Sequence, residues 1–179
     1  MGRAVTARRL AGRIALAGGG LMAAVTLAGL ADLQPFKVNG TRSLPRGIYV
    51  RTFETPRVGS IVWFPLPAAI RSYVAAFPGA AAWFDQPANG LLKPVVGLAG
   101  DVICRGGDGV FSVNGRVLGR VAAAAEGRAL PAWQGCRRLG PDELAVFADR
   151  IPDSLDSRLY GPVAAADAHV YRPLWTEGE

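Results

Sequence analysis

The sequence is poor in the residues that most often build reactive centres. It has one histidine, two cysteines and two lysines among 179 residues. A zinc-finger array, an iron–sulfur cluster or a haem site of the usual kind needs more histidine and cysteine than this. No phosphate-binding G-x-x-x-x-G-K-[ST] loop is present, and no dinucleotide fingerprint sits between a strand and a helix. The glycines around 97–109 read as turns. No metal or other cofactor is therefore expected.

Charge of one sign is lacking too, once the chain is divided. Twenty basic residues exceed 14 acidic ones, a net +6. Arg3, Arg8, Arg9 and Arg13 lie in the first 13 residues with no acid among them. From Asp32 onward the two signs nearly balance. The excess is largely an N-terminal tail, not a basic face for nucleic acid. Arginine accounts for 18 of the 20 basic residues, which makes Lys37 and Lys93 worth individual attention.

After the tail, residues 14–31 carry no charge. As a helix they would span roughly 27 Å, enough for a thin hydrocarbon core. Arginines before the run and Asp32 after it put the N-terminus in the cytoplasm and the remainder outside. Two readings stay open: a retained signal anchor, or a signal peptide cut after Ala31, with small Gly29 and Ala31 at the −3 and −1 positions. The run exceeds an ordinary signal-peptide core, which favours the anchor. The expected division is a basic cytoplasmic tail over 1–13, a transmembrane anchor over 14–31 and a periplasmic domain over 32–179. In an oxidising periplasm Cys104 and Cys136 would pair as a structural disulfide. Closing a loop of about 33 residues stabilises by ~3–4 kcal/mol on the chain-entropy model.

The exported part reads as short strands between turns. Gly47–Arg51, Gly59–Phe64, Leu91–Leu98, Asp142–Ala148 and Ala168–Tyr171 are the strand candidates. Val110–Leu118 reads as a hairpin, with Asn114-Gly115 suited to a type I′ turn. Ala68–Ala76 could be one helix in a stretch rich in alanine and aromatics. The sum is a mainly β domain with a small helical insertion.

Chemistry could reside in three segments. Lys93 sits in Leu91-Leu-Lys-Pro-Val-Val-Gly-Leu98, an apolar run. Burial there would lower its pKa, and a neutral amine is a general base; a lysine snorkelling from a strand edge is the competing reading. Asn39-Gly-Thr-Arg-Ser-Leu-Pro-Arg-Gly47 places Ser43 in a turn before a strand. Pro152-Asp-Ser-Leu-Asp-Ser-Arg-Leu-Tyr-Gly161 is a dense polar loop with Asp156 and Arg158 two apart. The Ser43 segment alone also fits an ordinary turn, and the third a solvated turn with a local ion pair.

Taken in order, the anchor, the Ser43-Leu-Pro-Arg-Gly-Ile-Tyr box, the Lys93-Pro-Val-Val-Gly-Leu-Ala-Gly-Asp101 box and the Ser154-to-Gly161 box resemble the membrane-anchored serine–lysine signal peptidases. The resemblance is closest to their conjugative-transfer, TraF-type branch. It covers most of the chain, including the cysteines and the Asn114-Gly115 hairpin. Ala99 replaces a usual proline, Leu159 a common aromatic, and Leu44 the methionine of general signal peptidases. None of these removes a reacting group.

The resemblance implies a signal-peptidase-like β domain with Ser43 as nucleophile and Lys93 as general base. It implies an oxyanion hole from the Ser43 backbone N–H and the Thr41 hydroxyl. Ser154 would orient the lysine, and Asp156 and Arg158 would fix their loop. The lone His169 has no motif around it, which disfavours a serine–histidine–aspartate triad. The expected enzyme is a serine endopeptidase of the bacterial inner membrane, with its catalytic domain in the periplasm. It would cut an exported precursor such as a pilin through an acyl-enzyme, in conjugation or type IV secretion. Trp63, Phe64, Trp83 and Phe84 could touch the bilayer interface or substrate, although such aromatics more often pack in the core. The alternatives are a general preprotein signal peptidase, a non-catalytic periplasmic subunit of a secretion apparatus and a self-cleaving repressor-type protease.

Overall fold

The computed structural model describes residues 33–86, 89–121, 124–125, 128–129, 131 and 133–178. The basic tail and the uncharged run over 14–31 lie outside them. Among the described residues no helix is long and apolar enough to cross a membrane.

The chain from Phe36 onward is mainly β. Its strands are β1 (Phe36–Asn39), β2 (Gly47–Arg51), β3 (Ile61–Phe64), β4 (Leu91–Gly97), β5 (Val102–Arg105), β6 (Val110–Val113) and β7 (Arg116–Arg120). They continue as β8 (Ala124–Ala125), β9 (Arg128–Ala129), β10 (Gly135–Arg138), β11 (Glu143–Val146), β12 (Val163–Ala164) and β13 (His169–Thr176). A seven-stranded sheet runs β1-β2-β13-β3-β4-β11-β12, a four-stranded one runs β10-β5-β6-β7, and β8 pairs with β9. Neighbouring strands are antiparallel, so each face can be assigned by alternation.

The strands expected from sequence all form, β13 extending further than expected. Asn114 and Gly115 take φ of 50° and 78°, both positive as a type I′ turn requires, and join β6 to β7. The single helix expected over Ala68–Ala76 is instead a 3₁₀ turn, Ala68–Ile70, leading into α1 (Arg71–Ala75). A second helix, α2 (Pro78–Phe84), follows. Pro78 explains the break. It disfavours helical backbone at Phe77, which is extended at φ −118°, ψ 94°, and then opens α2 at its first turn. A last short helix, α3 (Ser157–Tyr160), lies in the polar box near the C-terminus.

Three apolar clusters hold these layers. The largest joins Val62 and Phe64 of β3, Val95 of β4 and Val146 of β11 to Ile70, Val74, Leu159 and Tyr160 of the helices. A second sets Ile103 and Phe111 of the smaller sheet against Ala145 and Phe147. The third gathers Leu44, Tyr49, Trp63, Leu92 and Tyr171. The larger sheet curls strongly. Strands one and five of a flat sheet would stand about 19 Å apart at about 4.8 Å per strand. Yet the Lys37 ammonium of β1 lies 4.0 Å from the centre of the Trp63 ring of β3, and the β1–β2 loop reaches β4. Gly47 permits the close packing at the start of β2: a Cβ there would fall 2.1 Å from the Trp175 carbonyl oxygen of β13.

Cys104 and Cys136 face each other across β5 and β10 and form a disulfide over a sequence separation of 32 residues. The bridge ties an edge strand to the sheet it borders. The Cys104→Ser/Cys136→Ser chain is expected to lose about 3–4 kcal/mol of stability in denaturant melts and remain folded at 25 °C. A change below about 1 kcal/mol would show that the strand pairing alone holds this corner.

Candidate active site

The β1–β2 loop is shaped by Asn39 at the end of β1. Its side-chain N–H₂ donates to the carbonyl oxygens of Thr41 at 3.1 Å, Leu44 at 3.2 Å and Pro45 at 3.1 Å. Its carboxamide oxygen accepts from the Thr41 backbone N–H at 3.2 Å and the Thr41 hydroxyl at 2.8 Å. The buried Tyr49 hydroxyl donates to the Pro45 carbonyl at 2.7 Å. Ser43 is 3% exposed inside this clamp, with its Oγ 3.1 Å from the Thr41 hydroxyl. Neither Asn39 nor Tyr49 is assigned a task by sequence reasoning. A lone Asn-Gly pair reads as turn chemistry, and a strand tyrosine reads as core.

Lys93 meets Ser43 across 50 residues of sequence, with Nζ 2.6 Å from Oγ. Alternation along β4 puts its side chain on the face of Leu91 and Val95, and register places it opposite Val62. All three neighbours are core residues, and Lys93 is itself 4% exposed. Desolvation lowers its pKa from 10.5 to about 8, with Asp156 opposing the fall and Arg158 adding to it. Snorkelling to solvent is therefore not what this lysine does. Lys37 is also lowered to about 8, by partial burial and by Arg51. A depressed pKa alone thus does not single out one lysine; contact with a serine hydroxyl does.

The third box packs beside them. Asp156 caps α3, accepting from the Arg158 backbone N–H at 3.1 Å. It also accepts from Arg158 Nε at 2.9 Å and from Nη2 at 2.8 Å, a two-pronged pair with both side chains buried. The remaining capacity is satisfied as a buried ion pair requires. The Ala148 N–H donates to Asp156, Arg158 donates to the Ala148 and Ile151 carbonyls, and its guanidinium covers Phe147. Ser157 accepts from the Val146 N–H, and its carbonyl accepts from the Trp133 indole N–H. The Asp156–Arg158 ion pair expected to fix this loop is thus present. Ser154 is buried, but among the described residues its hydroxyl has no hydrogen-bond partner, so no bond to Lys93 is seen.

The remaining sequence candidates lie elsewhere or serve packing. Ser43 Oγ contacts Lys93 and Thr41, not a histidine. His169, in β13, stacks on Trp63 with ring centroids 6.1 Å apart. Trp63 and Phe64 are core residues, so the bilayer contact considered for them gives way to packing. Phe84 is partly buried against the core, and Trp83 alone of the four is exposed, at 55%.

A buried amine against a serine hydroxyl, with a second hydroxyl alongside and a fixed ion pair behind, is an arrangement suited to nucleophilic catalysis. Comparison with known proteins agrees with the class it suggests. The profile of the signal peptidase family, peptidase S26, matches residues 13–170, and the chain belongs to that family. Two plasmid transfer proteins TraF from Escherichia coli are 33% and 30% identical to it, each alignment covering 94% of this chain and 97% of the relative. These relatives place it with the TraF-type branch. A signal peptidase I from Enterococcus faecalis aligns at a TM-score of 0.36 and 19% identity, over 65% of this chain and 96% of that one. Its score is too low to bear on the fold.

Burying Lys93 has a cost in stability with a defined pH dependence. Its folded pKa of about 8 lies below the unfolded 10.5. Below about pH 8 both states bind the proton, and the folded state carries the whole penalty, about 3 kcal/mol. Between pH 8 and 10.5 the unfolded state binds more protons, so stability rises with pH. Lys93→Met is therefore expected to stabilise the protein by up to about 3 kcal/mol at pH 7, with the gain fading by about pH 10.5. Melts across that range check it; a variant less stable at pH 7 would contradict the penalty.

Proposed function

We propose that the chain is a membrane-anchored serine endopeptidase that matures exported precursors in conjugative transfer or type IV secretion, a pilin among them. The observation that carries this reading is the 2.6 Å contact between Ser43 Oγ and the buried Lys93 amine. With a pKa of about 8, about one-tenth of Lys93 is neutral at pH 7, roughly 300-fold more than for a lysine at 10.5. That fraction suffices for general-base work near neutrality.

In this mechanism neutral Lys93 takes the Ser43 hydroxyl proton as Oγ attacks the scissile carbonyl carbon. The new C–O bond leaves a tetrahedral oxyanion, stabilised by the Ser43 backbone N–H and the Thr41 hydroxyl. The Lys93 ammonium returns the proton to the leaving amine as the C–N bond breaks, giving an acyl-enzyme. Water, deprotonated by Lys93, then hydrolyses the ester and restores Ser43. Asp156 and Arg158 hold the box beside the lysine. Ser154, with its hydroxyl unspent, is the group that would orient the amine as it gains charge.

The arginine-rich tail and the uncharged run support an inner-membrane anchor with the catalytic domain in the periplasm. The disulfide fits an oxidising compartment. Likeness to plasmid transfer proteins along nearly the whole chain favours the conjugative branch over a general preprotein peptidase. The close Ser43–Lys93 contact favours an enzyme over a non-catalytic subunit.

Ser43→Ala, Lys93→Ala and Lys93→Arg are each expected to abolish processing of a co-expressed conjugative pilin precursor while the protein stays folded; arginine fails because it keeps its proton. For the unaltered chain, kcat/KM should rise with pH through an acid limb near 8. Full processing by Lys93→Ala, read by mass spectrometry of the precursor, would sink the dyad.

A further inference from the structure

Asn39 stands where five polar groups converge. Its orientation is settled by its surroundings: the N–H₂ faces three carbonyl oxygens, so the carboxamide oxygen must face Thr41. That oxygen can only accept. The 2.8 Å contact is therefore a bond donated by the Thr41 hydroxyl. A hydroxyl has one proton, and the 3.1 Å contact to Ser43 then has Ser43 as donor or carries no proton at all. With Lys93 protonated, the contacts form an unbroken donor chain: Lys93 to Ser43, Ser43 to Thr41, Thr41 to Asn39. Asn39 is its terminus.

The direction of that chain matters for the reaction. When Lys93 is neutral, the Ser43 proton turns toward the amine, and Thr41 no longer receives one. If the Thr41 proton then pointed at Ser43, it would occupy a lone pair of the nucleophile. The Asn39 oxygen supplies a closer acceptor and leaves the nucleophile open. We infer that Asn39 is a positioning residue that holds the Thr41 proton off Ser43 in the resting site and yields it to the oxyanion when that charge develops. The inference rests on the proposed Ser43–Lys93 mechanism and adds to it a residue that acts through Thr41. Transfer of this hydrogen bond needs only a hydroxyl rotation, with no net proton movement. The shared acceptor costs little to give up, since an oxyanion is the stronger acceptor.

Asn39 also braces the loop through its N–H₂ group, and the test must separate the two tasks. The full chain in detergent is assayed under single-turnover conditions against a conjugative pilin precursor, with Ser43→Ala as the blank. Thr41→Val is expected to slow the chemical step roughly 10²–10³-fold, as loss of one oxyanion donor does. Asn39→Ala is expected to slow it roughly 10–100-fold with KM within about threefold. The double variant should be no more than about threefold slower than Thr41→Val alone, because Asn39 has no hydroxyl left to direct. In a Thr41→Ser background the full Asn39→Ala effect should return. Thermal melts establish that each variant folds; Asn39→Ser replaces Asn39→Ala in the cycle if the latter does not. Effects that multiply in the double variant, or an Asn39 effect confined to KM, would overturn the inference and leave Asn39 as a loop brace. A wild-type chain that leaves the precursor uncut would instead overturn the proposed function.

Discussion

The structure turns on placing an ionisable amine in an apolar layer and giving it one hydroxyl to face. Lys93 occupies a core position of β4, among Leu91, Val95 and Val62, where a hydrocarbon would be more stable. Desolvation is the largest influence on its pKa, which makes it a base near neutral pH. The same burial gives Ser43 a partner shielded from water. The lowered pKa and the cost in stability thus have one origin, as is common where a site is built into a core. The neighbouring ion pair keeps the balance. Asp156 favours the charged lysine and Arg158 disfavours it, so the pair tunes the amine modestly while bracing the loop behind it.

The rest of the fold can be understood as what brings residues 43 and 93 together. The curl of the larger sheet closes the distance between strands that are far apart in strand order. Gly47 admits the β13 backbone at the start of β2. Leu44, next to Ser43, is buried with Tyr49, Trp63, Leu92 and Tyr171, so the Ser43 loop is anchored by apolar contact as well as by Asn39. The disulfide stands apart from this machinery, pairing β5 with β10 in the smaller sheet.

Much of this fold is legible in the amino-acid sequence. Strands marked by β-branched runs and by Pro and Gly punctuation appeared where expected, and the Asn114-Gly115 turn has the backbone its residues favour. The scarcity of lysine drew attention to Lys93. The paired hydroxyl and amine could be named only through family resemblance, because a contact spanning 50 residues leaves no local trace. What was missed was missed for physical reasons. The second helix went unread because it opens at Pro78, past the expected end at Ala76, in a stretch marked only by alanine and aromatics. Asn39 was invisible as a hub because its partners are mostly backbone carbonyls, which every sequence has. Trp63 and Phe64 alternate across a strand covered on both faces, so neither is left for a membrane.

A serine–lysine mechanism depends most on the protonation of Lys93, and the sequence itself offers a clean way to measure it. Lys37 is the other lysine, so Lys37→Arg leaves Lys93 as the sole ε-amine in the chain. Selective ¹³C,¹⁵N-lysine labelling then gives one side-chain signal to follow by NMR against pH. A midpoint near 8 is the predicted result. A midpoint above 10 would mean that the amine stays charged beside Ser43 at neutral pH, and a serine–lysine base mechanism would not stand.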